Sequence, residues 1–175
     1  PKEHITDGTS MMPLLRGDER PLVLVATQPI NSIFRQVCSA PTLLAAGVEA
    51  SPDKWGLPEI ADAVGPVLVA HLAESDRALA SLVDERRGQR RATTDLSDIA
   101  RAATISAVAT LIVDRDYDER GTVGDDGTLT LNPDGAVLAE ELARRVVSHG
   151  GRVLALPADR LPGGAPITAV LRYAQ

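Results

Sequence analysis

Apolar residues follow two different periods along this chain, and the switch between them marks how it is organised. From Asp95, Leu96, Ile99, Ala100 and Ala103 recur at helical spacing. After Ser106 the apolar positions close up into Val108, Leu111, Ile112 and Val113, a run too short for a helix and rich in β-branched residues. The stretch predicts a capped helix feeding a buried strand. Asp95 is the cap, with Asp98 three residues on in the position of a capping box.

Upstream of that seam, Met11 to Leu15 reads as the remnant of a helix. Leu22 to Ala26 then predicts a strand buried on both faces, as in a parallel sheet. Pro29 suits the first turn of a helix with Ile30, Ile33, Phe34 and Val37 on its inner face, stopped by Pro41. Ala40 to Gly56 is a connection with a short apolar piece at Thr42 to Ala46. From Leu57 to Gln89 a helical stripe runs through Ile60, Val64, Leu68, Leu72, Leu79 and Leu82. Gly65-Pro66 interrupts it, and a proline inside a helix costs about 3 kcal/mol, so a kink or a pair of helices is expected. The piece beyond Pro66 would run about 30 Å as a spine between two units. Gly88 would end it.

Downstream, Asp125-Asp126-Gly127 is a hairpin signal between Thr122-Val123 and Thr128 to Leu131. Asn132-Pro133-Asp134 predicts a helix start, with Leu138, Leu142 and Val146 as the inner stripe. Glu140–Arg144 and Glu141–Arg145 have the spacing of i,i+4 pairs. Gly150-Gly151 ends that helix, and Arg152 to Leu156 is a strand. A Pro/Gly loop over 157–166 leads to a last strand, Ile167 to Tyr173. Strand, crossover helix and strand in this order imply a parallel pair with a right-handed crossover. The region after Asp95 is therefore a compact α/β domain.

Composition narrows the function classes. The chain has 175 residues, 44% hydrophobic and 24% charged, which is ordinary for a globular protein of one domain, or one plus part of another. A net charge of −6 argues against a general nucleic-acid binder and against DNA. With 2% aromatic residues (Phe34, Trp55, Tyr117 and Tyr173) there is almost no platform for stacking bases. Cys38 is alone, which suits a reducing cytoplasm. His4, His71 and His149 are far apart and lack ligand spacing, so no metal and no cofactor is expected. No apolar run is long enough for a membrane span, and no signal peptide is recognisable. The chain opens on Pro1 rather than Met, and part of a longer protein is expected upstream.

Three stretches carry candidate chemistry. Arg86, Arg87, Arg90 and Arg91 form the one basic focus of an acidic chain. Their guanidinium forks suit phosphate oxygens; the blander role is a helix terminus complementing the helix dipole. Pro162, Gly163 and Gly164 could offer backbone amides to an anion, or simply make a rigid turn between strands. Asp114, Asp116 and Asp118 open like a calcium loop, but Glu119 stands where glycine is needed and Asp125 where a bidentate glutamate is expected. The expectation there is a solvated acidic loop. No catalytic constellation or phosphate-binding motif is recognisable, so no catalytic residue is assigned.

Several segments, in order, resemble the bacterial relatives of the archaeal and eukaryotic class I peptide release factors. PLVLVATQPINSIFRQV looks like the last strand and helix of that family's middle domain, and AAGVEASPDKWGLPEIADAV like the following connection. ALASLVDERRGQRRATTDLSDI resembles the long interdomain helix, AATISAVATLIVDRD the entry into the C-terminal domain, and HGGRVLALPADRLPGGAPITAVLRY its ending. The resemblance covers most of residues 21–175. It implies the C-terminal part of a ribonuclease H-like middle domain, a strand and a helix, and the long interdomain helix over 1–91. Over 92–175 it implies an L7Ae-like three-layer α-β-α sandwich, with 114–131 as an insertion. The Gly-Gly-Gln loop of classical release factors has no counterpart here, since Gly88-Gln89 supplies one glycine, and no residue corresponds to the codon-reading domain. What the resemblance implies is a cytoplasmic, non-catalytic, ribosome-associated module acting in termination, rescue or hibernation. It would dock a translational GTPase and touch ribosomal RNA. A second reading is a fragment of a peptidyl-tRNA or nucleic-acid hydrolase with its catalytic residues upstream. A third is a general protein-interaction domain.

Overall fold

The structure, a computed structural model, describes residues 20–174. The Met11–Leu15 patch lies outside them. The chain forms two compact units, Pro1–Ala73 and Glu74–Gln175.

In the first unit, the apolar run after Pro21 is extended but does not become a sheet strand. It pairs with the connection through isolated parallel bridges, Leu22 with Leu43 and Val25 with Val48. The Leu22 amide bonds to Thr42 O at 2.8 Å, and the Val48 amide to Leu24 O at 2.9 Å. Leu22 to Val25 stay half-buried and only Ala26 is buried, because among the described residues one neighbouring segment covers the run rather than a sheet on both sides. Helix α1, Ile30–Val37, forms where Pro29 and Pro41 bracket it. Its apolar stripe is not an inner face. Ile30 is 62%, Ile33 55% and Val37 75% exposed.

Helix α2, Leu57–Gly88, is one helix of 32 residues, about 48 Å long, with Pro66 inside it. The expected break into two helices does not occur. Pro66 is exposed, and the helix proceeds without the one amide that proline lacks. The boundary between the two units falls within α2.

The second unit is a mixed α/β sandwich. Strand β1 (Ala92–Thr93) is followed by helix α3 (Leu96–Thr104), strand β2 (Val108–Asp114) and strand β3 (Arg120–Val123). Strands β4 (Leu129–Leu131) and β5 (Ala136–Val137), helix α4 (Leu138–Ser148), strand β6 (Arg152–Leu156) and strand β7 (Ile167–Leu171) complete it. The main sheet has the order β1-β7-β2-β6. β2 and β6 are parallel, connected through α4, whereas β7 lies antiparallel between β1 and β2. All five residues of β7 are buried, as befits an inner strand.

Alternation along the strands sends side chains to two cores. Leu111, Val113, Ile167, Ala169 and Leu171 pack against Ile99 and Ala103 of α3 and against Leu138, Leu142 and Val146 of α4. On the opposite face Ile112 and Val170 meet Val83 of α2 and Leu161, with Leu79, Leu154 and Leu156 at the margin. The second half of α2 is thus the outer layer of the sandwich. Its contact face runs through Leu79 and Val83, while Leu72 and Leu82, expected on the inner stripe, are exposed.

The seam forms as its pattern predicts. The Asp98 amide donates to Asp95 Oδ1 at 2.9 Å, capping α3. The other half of the capping box is missing, because the Asp98 carboxylate is taken by Arg101 at 2.6 Å. The polar excursion folds as the hairpin β3–β4, turning at Gly127 with φ +81°. Asn132-Pro133-Asp134 makes a turn rather than a helix start. Asn132 Oδ1 accepts from the Asp134 amide at 3.0 Å, and the next residues pair with β3 as β5 before α4 begins at Leu138. The turn chemistry of Asn is satisfied locally, one strand earlier than the helix.

Arg145 ties this insertion down. Its Nη1 donates to Gly124 O at 3.0 Å and Thr104 Oγ1 at 2.9 Å, its Nη2 to Val123 O at 2.5 Å, and its Nε to Glu141 Oε1 at 2.9 Å. That last hydrogen bond holds the Glu141 carboxyl below the usual carboxylate range. Arg144 bonds Glu141 as well, at i,i+3, instead of the expected Glu140.

Candidate functional site

The end of α2 and the loop between β6 and β7 come together although they lie far apart in the sequence. A Cβ built at Gly163 would lie 3.7 Å from Arg87 Nη2 and 4.0 Å from Nη1. The two stretches singled out in the sequence are therefore neighbours on one surface.

The helix ends in a defined cap. Its last turn closes with the Arg91 amide on Arg86 O at 2.7 Å and the Arg90 amide on Arg87 O at 3.0 Å, the paired bonds of a Schellman cap. The left-handed residue of that cap is Arg90, φ +56°, and not the expected Gly88, which is the last helical residue. That conformation costs an L-residue about 1–2 kcal/mol, whereas glycine adopts it freely.

Each arginine then has its own surroundings. Arg91 is structural: Nε donates to Leu171 O at 3.3 Å and Nη2 to Arg172 O at 2.5 Å, fastening the cap to the end of β7. Arg86 donates to Gln89 Oε1 at 3.0 Å, and Arg87 makes a long, exposed contact of 3.4 Å with Asp84. The exposed Arg90 side chain has no hydrogen bond or ion pair among the described residues. Arg87 and Arg90 are therefore exposed, Arg86 is half-buried with its guanidinium on Gln89, and Arg91 is engaged by the fold.

The loop is less generous than its glycines suggest. Gly163 and Gly164 have φ +71° and +69°, but the Gly164 amide donates to Leu161 O at 3.2 Å, and Pro162 is buried. Its place beside α2 is fixed by a pair the sequence did not reveal. Arg160 Nε and Nη2 donate to Asp76 Oδ2 and Oδ1 at 2.8 and 2.7 Å, across 84 positions. This two-pronged bond holds the Asp76 carboxyl below its ordinary range, against the opposing effect of burial. No local spacing could have announced a pair so distant.

The acidic loop is self-contained. Asp114 Oδ1 accepts from the Asp116 amide at 3.0 Å, and Arg115 approaches Asp116 at 3.5 Å. The half-buried Tyr117 donates to Glu119 Oε2 at 2.6 Å, and burial followed by that bond pushes its pKa up. Among the described residues no group of three or more His, Cys, Asp or Glu side chains converges as a metal site would require.

A family model for the bacterial archaeo-eukaryotic release factor family 3 matches residues 8–105, more than half of the chain. The chain belongs to that family. No match was found among curated proteins. Solved structures share this release-factor-like fold at low identity. The C-terminal domain of a peptide chain release factor from Methanosarcina mazei is 16% identical over 72% of this chain and 99% of that one, with a TM-score of 0.51. Pelota, in the structure of ribosome-bound archaeal Pelota and ABCE1, is 16% identical over 94% of this chain and 46% of that one, TM-score 0.59. S. cerevisiae Dom34, a translation termination-like factor that interacts with Hbs1, is 14% identical over 89% and 47%, TM-score 0.57. The chain thus spans about half the length of Pelota and Dom34.

Proposed function

We propose that this release-factor-family chain is a non-catalytic, ribosome-associated module of a cytoplasmic translation factor. In this reading it meets ribosomal RNA through Arg86, Arg87 and Arg90, beside the Pro162–Gly164 turn. Residues 1–91 are the end of the middle domain and the interdomain helix, and 92–175 an L7Ae-like domain that docks a translational GTPase. The observation that carries the RNA contact is Arg90. It occupies the glycine position of a helix cap at an energetic cost, its side chain has no partner among the described residues, and Arg86 and Arg87 stand in the last turn of the same helix. Strain retained at an exposed, charged position fits a role outside folding. Family membership and the Pelota and Dom34 likeness supply the ribosomal setting.

The small number of aromatic side chains fits recognition of phosphate and shape rather than bases. Arg91 is left out of the contact surface, because its donors already serve two carbonyls. The test is co-sedimentation with ribosomes over a range of salt. Replacing Arg86, Arg87 and Arg90 together by alanine should lower the salt slope by about 2–3, since each phosphate that is no longer neutralised removes roughly 0.7–0.9. Parental binding at every salt concentration would remove the RNA contact from the proposal.

A further inference from the structure

The sheet edges of the second unit are not alike. The β1 edge is two residues long, and the outer strands of the small β4-β3-β5 sheet have three and two. β6 has five, pairs with β2 without a register shift, and carries neither charge nor proline between Val153 and Leu156. Proteins usually blunt an exposed edge by shortening it, charging it, inserting proline or bulging it. Here only Arg152 and Pro157 bracket the strand. Among the described residues no strand lies beyond it.

In a parallel strand alternate residues turn their N–H and C=O to the same side. Leu156 O accepts from the Arg115 amide at 2.9 Å on the β2 side, so Leu154 and Leu156 serve β2. Val153 and Ala155 therefore present their donors and acceptors outward. Beside this edge runs a groove of about 470 Å³ between Ala78, Leu79 and Leu82 of α2 and Leu154 and Leu156 of β6, with the Asp76–Arg160 pair in its wall.

We propose that the β6 edge takes an extended segment of a partner protein as an added strand, apolar at alternate positions. An added extended backbone matches the spacing of these outward groups and replaces the water that hydrates them at the free edge. The added strand would set every second side chain into the apolar groove, which is why alternation is required. Charge disfavours a second copy as occupant, since each chain carries a net −6 and self-pairing brings two together. The proposal does not depend on the arginine surface, which is a separate feature of the unit.

The test is a displayed random-peptide selection against the intact chain, followed by amide exchange and variants of the edge. Selected peptides should alternate apolar residues and protect the Val153 and Ala155 amides. Ala155→Lys and Ala155→Pro should each weaken binding at least tenfold. Both are chosen to leave the fold intact, since the Ala155 amide is not used by β2, and circular dichroism and thermal melts of the variants should match the parent. A peptide N-methylated at the alternate residues whose N–H groups face β6 should not bind, whereas methylation of the other alternate set should be tolerated. Failure to enrich such peptides, equal binding by both variants, protection at another surface, or a dimer of this chain that Ala155→Lys disperses would each overturn the proposal.

Discussion

Arg90→Gly should make the protein more stable and a weaker ribosome binder, and Arg90→Ala separates the two effects. Arg90 sits at φ +56° in the left-handed position of the α2 cap. That conformation costs an L-residue about 1–2 kcal/mol, whereas glycine adopts it freely but loses about 0.5–1 kcal/mol through its looser unfolded chain. The net gain for Arg90→Gly is therefore roughly 0.5–1 kcal/mol. For a unit the size of Glu74–Gln175 this corresponds to a rise of about 2–8 °C in Tm. Arg90→Ala keeps the left-handed cost and should melt within a degree or two of the parent. Neither variant breaks an ion pair, because the guanidinium has no described partner. Both should lower the salt slope of ribosome binding equally, by about 0.7–0.9, the share of one phosphate. Differential scanning calorimetry and salt-titrated co-sedimentation measure the two effects. If Arg90→Gly melts below Arg90→Ala, the cap argument fails. If both retain the parental salt slope, Arg90 does not touch RNA.

Three further outcomes follow from the packing. The buried Thr168 Oγ1 has no hydrogen-bond partner among the described residues, and an unsatisfied buried hydroxyl costs about 1–3 kcal/mol; the near-isosteric Thr168→Val should raise Tm, and a fall would show that the hydroxyl is bonded. Asp76 is held below its ordinary carboxylate range by Arg160, so its contribution is present above the unfolded value of about 3.9 and lost as pH falls through the lower folded value. Asp76→Asn should accordingly destabilise at neutral pH and flatten the acid side of the stability–pH curve, whereas an unchanged acid limb would rule out the linkage. Arg145→Met removes donors from Val123 O, Gly124 O and Thr104 Oγ1 and should cost about 2–4 kcal/mol, with hydrogen exchange rising first in the β3–β4 hairpin; uniform exchange across the unit would argue that the insertion is not held by Arg145.

What is legible in the sequence divides by the range of the interactions. Asp95, the α3 face and the β2 run are readable because cap, helix and strand are each determined within a few residues. The α4 stripe of Leu138, Leu142 and Val146 is readable for the same reason, but its first turn is not, because Asn132 and Pro133 serve a turn equally well. In the first unit the apolar periods are visible and their burial is not. Ile30, Ile33 and Val37 keep helical spacing whether or not anything covers them, and Leu22 to Ala26 is apolar whether one side or two are occupied. At the candidate site, the four arginines and the glycine turn stand out separately by composition. Their meeting does not, since it rests on Asp76 and Arg160, 84 positions apart. Nor does any pattern mark Arg91 as engaged by carbonyls or Arg90 as the left-handed residue.

The central claim is that the end of α2 faces ribosomal RNA. The most direct measurement places a photoreactive residue at the exposed Gln89, among Arg86, Arg87 and Arg90, and irradiates the chain on purified ribosomes. The expected product is a crosslink to ribosomal RNA that disappears at high salt and in the triple arginine variant. A crosslink confined to protein, or one that persists without the arginines, would contradict the claim.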